Sequence, residues 1–269
     1  MKAGGANRIR YGAGEHIYAQ QSVSAVLHDR VAEFLNTHPD IMSKGGMYFR
    51  SRSLNPVILP TTFSSELCRL IGWIHGDGNM SYRRILISDE SLGFHTTVVR
   101  ETVQRLFGLK TNIFHDEGRS TYYSHLKNSV LYDFLAEVLE IPKGSVRSGL
   151  RVPGYIKRLE LSLQAKYVGG LYDAEGHVKK RQAEIDFSIT CEEIQAMVGA
   201  TLDQLTIGLT LHARQRRSKE FEVYIYGKDD LAKFEAQIGF THPVKKNALA
   251  RALSVPLNTR VVPAVNDAG

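Results

Sequence analysis

The sequence predicts a duplicated α+β fold, and three observations carry that prediction. Two short segments, Leu70-Ile71-Gly72-Trp73-Ile74-His75-Gly76-Asp77-Gly78 and Val168-Gly169-Gly170-Leu171-Tyr172-Asp173-Ala174-Glu175-Gly176, share a glycine-rich interior and an acid-glycine ending. Landmarks around and after them stay in register. Asp77 and Glu175 are 98 positions apart, Phe107-Gly108-Leu109 and Ile207-Gly208-Leu209 are 100 apart, Lys127 and Lys228 are 101 apart, and Phe134 and Phe234 are 100 apart. Downstream of each segment the hydrophobic period alternates between helix and strand in the same order, as in a small half whose helices cover one antiparallel sheet. A repeat of about one hundred residues is too long for a solenoid unit and suits two pseudo-symmetric halves of αββαββα type.

Each acid-glycine segment closes a helix. Ser64 to Arg69 and Leu163 to Tyr167 are helix-compatible, and the apolar positions that follow recur at helical spacing. Gly78 and Gly176 suit the left-handed position that ends helices. Glycine inside a helix costs roughly 1 kcal/mol relative to alanine, so the internal glycines need a compensating reason. Gly72 and Gly76 are spaced i,i+4, as are Gly170 and Ala174, which gives each helix a smooth stripe on one face. Two such stripes can cross backbone to backbone, packing the halves through these helices and bringing Asp77 beside Glu175.

The remaining elements follow in parallel. Tyr82 to Ser88 and Arg181 to Ile189 alternate as half-buried strands, with Ala183, Ile185, Phe187 and Ile189 on one side and Gln182, Glu184, Asp186 and Ser188 on the other. Helices are predicted over Thr96 to Phe107 and Glu192 to Leu205. Strand pairs follow, Thr111 to His115 with Thr121 to Leu126 and Leu209 to Gln215 with Phe221 to Tyr226. Val130 to Leu139 and Leu231 to Gln237 close the halves as helices. Outside the repeat, residues 1–60 form an N-terminal extension. Its opening, Met1 to Gly14, reads as flexible, and Val23, Val26, Leu27, Val31, Phe34 and Leu35 form the apolar stripe of a helix ending before Pro39. The segment after it, with Lys44, Arg50 and Arg52 beside Tyr48 and Phe49, is either a ligand-contacting arm or a surface appendage. The halves themselves span 61–150 and 151–255, and 256–269 is an irregular tail.

Two carboxylates at adjoining helix C-termini repel each other and the negative ends of the helix dipoles. A divalent cation relieves that strain, and hard oxygen ligands with room for water favour Mg²⁺ over zinc. Cys68 and Cys191 are the only cysteines, too far apart for a zinc motif, and both read as buried thiols on helices. With 269 residues and 43% hydrophobic content the chain can bury a sizeable core without disulfides. No secretory leader and no apolar run approaching ~18 residues is present, so an intracellular, non-secreted protein with no membrane partner is expected. A balance of 34 Lys and Arg against 28 Asp and Glu gives a net charge of +6, compatible with a polyanionic partner.

The paired segments resemble the LAGLIDADG family of homing endonucleases in its single-chain, two-motif form. Leu150-Arg151-Val152-Pro153-Gly154-Tyr155-Ile156 is similar to the family's lead-in to the second motif, and Ile238-Gly239-Phe240 with Pro243 and Lys245 to its close. Departures are His75 and Gly76 in the first motif and Glu175 in place of aspartate in the second. The resemblance implies that Asp77 and Glu175 are the catalytic, metal-binding acids, with Gly76 and Ala174 beside them in the metal site, Mg²⁺ as cofactor and Mn²⁺ able to substitute. It implies a monomer that hydrolyses one phosphodiester on each strand of a long asymmetric duplex, in an intron- or intein-associated setting. Lys127 and Lys228, equivalent in the repeat, are the first choices for catalytic cations, and Lys179 the second.

The open sheet faces are then expected to lie on DNA, since a strand pair fits the major groove and basic and polar side chains grip phosphates and read bases there. In the first half the candidates are Arg83, Arg84 and Arg119. In the second they are Lys179, Lys180, Arg181 and Gln182, with His212, Arg214 and Arg216 on one side of their strand, followed by Arg217 and Lys219. Two alternatives stay open at this point: an RNA maturase acting on intron RNA, and a regulator that binds DNA on the same scaffold without cutting it.

Overall fold

The computed structural model describes residues 23–51, 55–145, 150–180, 182–215 and 219–254. Two helices form its centre. α2 (Ser65–Asp77) is started by Ser64, whose hydroxyl accepts from the Leu67 N–H at 3.1 Å, and α5 (Leu161–Glu175) crosses it. The crossing is as close as the small residues predict. A methyl group added at Gly72 would fall 2.3 Å from the Tyr167 carbonyl oxygen, and one added at Gly170 would fall 2.1 Å from that of Arg69.

In the first half β3 (Gly78–Ser81), β4 (Arg84–Asp89), β5 (Asn112–Asp116) and β6 (Thr121–Leu126) form an antiparallel sheet with β7 (Gly144–Ser145) on one edge, in the order β5-β6-β4-β3-β7. The second half repeats this as β10 (Thr210–Gln215), β11 (Lys219–Tyr226), β9 (Glu184–Ile189) and β8 (Gly176–Val178), in the order β10-β11-β9-β8. The predicted alternation holds: Ile185, Phe187 and Ile189 are buried with Val223 and Ile225, and the polar positions between them face outward. α3 (Arg100–Phe107), entered through a π-helical turn at Phe94–Val99, and α4 (Ser129–Asp133), continued by another at Phe134–Val138, complete the first half. α6 (Glu192–Gln204) and α7 (Lys228–Gln237) complete the second.

Four readings need correction. Gly78 and Gly176 are extended, at φ −89° and −78°, rather than left-handed. The chain passes directly from helix into β3 or β8, and a side chain there would strike the Ile74 or Tyr172 carbonyl oxygen, at 2.3 and 2.5 Å, so steric room rather than handedness requires glycine. The strands read as Tyr82–Ser88 and Arg181–Ile189 are second strands of hairpins whose first strands start on the motif glycines. Tyr82 and Arg83 are the turn of the first, both at positive φ. Cys191 is half-buried just before α6, its thiol donating to the Leu150 carbonyl at 3.2 Å, whereas Cys68 is buried as expected. The second half does not close with the helix read over Leu231 to Gln237, since a further helix, α8 (Pro243–Ser254), follows it.

The extension packs on the first half. α1 (Val23–Thr37) buries Leu27, Val31 and Phe34, the last edge-on to Phe134 at 6.4 Å. The basic segment after it is a hairpin, β1 (Ile41–Lys44) and β2 (Met47–Arg50), and Arg50 docks it through ion pairs to Asp40 and Asp133. Arg52, Met1 to Gly14 and the tail beyond Pro256 lie outside the described residues. Among the described residues no helix is long and apolar enough to cross a membrane.

Candidate active site

Because α2 and α5 cross at their small residues, their last residues emerge side by side. Asp77 and Glu175 are both half-buried, and the Cγ of Glu175 lies 3.4 Å from where a side chain on Gly76 would begin. The methyl of Ala174 fills the space over Gly76. The Ser88 hydroxyl donates to the Asp77 carbonyl at 3.0 Å, tying the end of α2 to its own sheet.

The end of α5 is held differently. The Lys245 ammonium, from the first turn of α8, donates to the carbonyls of Asp173 (2.5 Å) and Ala174 (2.6 Å), with Tyr172 at 3.4 Å. A cation at a helix C-terminus meets the dipole and its unpaired carbonyls together. Burial pushes the Lys245 ammonium below its ordinary pKa, opposed by the charges of Asp89, Asp173, Asp77 and Glu175, so both candidate acids belong to its surroundings.

Two contacts related by the repeat bridge the helices above this point. Arg69 donates to Asp173 at 2.8 Å, and His75 shares a hydrogen bond with the Tyr167 hydroxyl at 3.0 Å. The registers correspond, Arg69 to Tyr167 and His75 to Asp173, but one contact is an ion pair and the other is not. Asp173 is fully buried, and its carboxylate also accepts from Trp73 Nε1, the Thr241 hydroxyl and the backbone N–H groups of Thr241 and His242. His242 in turn pairs with Asp89 at 2.9 Å and stacks on Phe94, joining the second half's close to the first half.

The other expected site residues are dispersed. Lys127 is exposed just after β6 and lies near Arg84 and His125, whose pKa is lowered by burial and by those two cations. Lys228 is half-buried as the first residue of α7. Lys179 pairs with Asp186 at 2.9 Å. Arg83 and Arg84 are exposed on the first hairpin, Arg119 is exposed on the β5–β6 turn, and Lys180 and Gln182 are exposed beyond β8. His212 and Arg214 share the outward face of β10. Arg181, Arg216, Arg217 and the side chain of Lys219 lie outside the described residues. Sequence reasoning missed Arg69, Asp89, His242 and the function of Lys245. Proline is favoured at the first position of a helix, so Pro243 was the signal that Lys245 sits on a helix and points back at a neighbour.

Residues 162–239 match the family model described as a LAGLIDADG-like domain. This chain therefore carries a LAGLIDADG-like domain in its second half. Its fold is that of I-DmoI, whose crystal structure with DNA and Mn aligns with a TM-score of 0.51 at 22% identity, covering 66% of this chain and 98% of that one. Among curated relatives, the glutamine–fructose-6-phosphate aminotransferase of Methanocaldococcus jannaschii is 28% identical over 211 residues, 74% of this chain and 18% of the relative. The tRNA-splicing ligase RtcB of Methanopyrus kandleri is 22% identical over 262 residues, 86% of this chain and 26% of the relative. The chain therefore spans only a minor part of the length of these two proteins. Homing endonuclease I-ApeI of Aeropyrum pernix is 26% identical over 157 residues, 57% of this chain and 70% of the relative.

Proposed function

We propose that the chain is a site-specific endonuclease that cuts both strands of a long asymmetric DNA duplex with a divalent cation, as the nuclease of an intron- or intein-associated homing element. One observation carries the reading: two half-buried carboxylates, Asp77 and Glu175, at the ends of two helices that cross without side chains between them. Similarity to I-ApeI and to the fold of I-DmoI supports the nuclease class. The mobile-element setting is supported by relatives of unrelated named activities that match over 18% and 26% of their lengths.

The donor set fits a hard cation. Asp77 and Glu175 offer oxygen only, and among the described residues no group of three or more His, Cys, Asp or Glu side chains is placed to hold a metal. A bound divalent cation would supply an activated water and neutralise charge on the scissile phosphate. Asp77 and Glu175 would hold it from opposite halves. Lys245 fixes the last turn of α5, and with it the direction of Glu175, while its contact with the Ala174 carbonyl makes the two halves of the site unequal. The outward sheet faces bind the duplex, and Lys127, beside Arg84 and His125, adds positive charge at one flank. Two different halves in one chain read an asymmetric site without dimerising.

A supercoiled plasmid carrying the uninterrupted form of the gene sequence that flanks this reading frame tests the proposal. Linearisation with Mg²⁺ or Mn²⁺ and none with EDTA is expected, and cleavage should vanish in the Asp77→Asn, Glu175→Gln double variant. Undiminished cleavage by that variant would refute the assigned centre.

A further inference from the structure

On the outward face of the second sheet, Arg214 is held at two of its nitrogens. Its Nε forms an ion pair with Glu222 at 2.8 Å and its Nη2 donates to the Tyr224 hydroxyl at 3.3 Å, while that hydroxyl donates to Glu222 at 3.0 Å. The support is itself fixed. Glu222 is almost wholly buried, and the Tyr224 ring stacks on Tyr226 at 5.8 Å and meets His212 edge-on at 5.4 Å. Register places all of them on one face: β10 pairs His212 with Glu222, and β11 continues that face through Tyr224. Arg214 itself stays about half exposed. Among the described residues these contacts engage Nε and Nη2 of the half-exposed guanidinium, which leaves Nη1 and the second hydrogen of Nη2 to meet a ligand from a held position.

A guanidinium held in this way matches the paired O6 and N7 acceptors of guanine in the major groove with a rigid planar fork, which lysine's flexible ammonium lacks. A phosphate-gripping arginine needs no such buttress, because charge attraction tolerates many orientations. The first half lacks the device. Through the matching registers, Tyr123 stands where Glu222 stands and Asp116 where Arg214 stands. We infer that Arg214 is a specificity-determining residue that reads one guanine in one half of the duplex target, with Glu222 and Tyr224 as its positioning residues. The inference rests on the duplex-binding reading above.

Selection from a pool of duplexes with a long randomised segment, by repeated isolation of bound DNA and sequencing, tests it with the full chain in EDTA. The wild type should enrich one guanine in one half-site by about tenfold or more. Arg214→Lys keeps the charge and should lose that preference alone, with other positions unchanged. Glu222→Gln and Tyr224→Phe should weaken the same position and no other. A wild-type motif that keeps its guanine in Arg214→Lys overturns the assignment, as does a loss spread evenly over all positions. A wild type that enriches no sequence overturns the duplex reading and this assignment with it.

Discussion

Asp173 offers the sharpest test of how the two halves are joined. Its two oxygens accept from five donors: Arg69, Trp73 and the Thr241 hydroxyl on one, and the N–H groups of Thr241 and His242 on the other. In Asp173→Asn the volume is unchanged, but one oxygen becomes an NH₂ group. Whichever way the amide turns, donors then face a donor, and each buried donor left unpaired costs about 1–3 kcal/mol. Arg69 also loses its counter-charge while almost wholly buried, a change worth about 3–5 kcal/mol when one partner of a buried pair is removed. Arg69 keeps the Ile238 and Gly239 carbonyls, which offsets part of the loss, so the expected net destabilisation is about 3–5 kcal/mol. Against a typical total of about 5–15 kcal/mol that is a large fraction. Equilibrium unfolding in urea measures it. Tyr167→Phe, which removes only the neutral bond at the repeat-related place, should cost about 1 kcal/mol. A loss below about 1 kcal/mol in Asp173→Asn, or equal losses in both variants, would show that the ion pair does not dominate the helix crossing.

Three further outcomes are expected. Gly72→Ala places a methyl 2.3 Å from the Tyr167 carbonyl oxygen, and an overpacking cost of about 1–3 kcal/mol exceeds the gain of about 1 kcal/mol in helix propensity, so the thermal midpoint should fall. Lys245→Met removes the ammonium from the end of α5, with about 1–2 kcal/mol lost in urea unfolding and a larger drop in cleavage than the stability change alone produces. Acid should weaken the fold already as pH falls below about 6.5. Burial lowers His75 from the ordinary 6.5 to about 4 and lowers His95 as well. The unfolded chain therefore takes up protons first, and stability, fully present above pH 6.5, is lost as pH falls toward about 4. His75 alone contributes about 3 kcal/mol over that window, and His75→Gln should flatten the urea-unfolding profile measured from pH 7 to pH 4.5.

The helix crossing and both sheets were legible because their signals are local: glycines at i,i+4 leave no room for another explanation, and alternation in Glu184 to Ile189 survives in any context where one sheet face is buried. The first strands of the two motif hairpins were not. Gly78–Ser81 and Gly176–His177-Val178 are too short to show a period, and they borrow their first residue from a motif that reads as helical. The support of the site was hidden for another reason. Asp173, Thr241, His242 and Asp89 come from separate parts of the chain, and nothing in the spacing of a lone aspartate tells that five donors converge on it. The role of Lys245 is not legible in its spacing from Phe240 and Pro243, since a lysine's target is set by how α8 packs.

The unlike pair of contacts across the crossing also governs what the halves can associate with. If two copies of the first half met through α2, each Arg69 would face a His75 of the other, with no carboxylate for either guanidinium. If two copies of the second half met through α5, each Asp173 would face a Tyr167 and lose its cation. The crossing face of each half thus suits its complement better than a second copy of itself. Expressed as two separate polypeptides, they should find one another and form the mixed pair in preference to either homodimer.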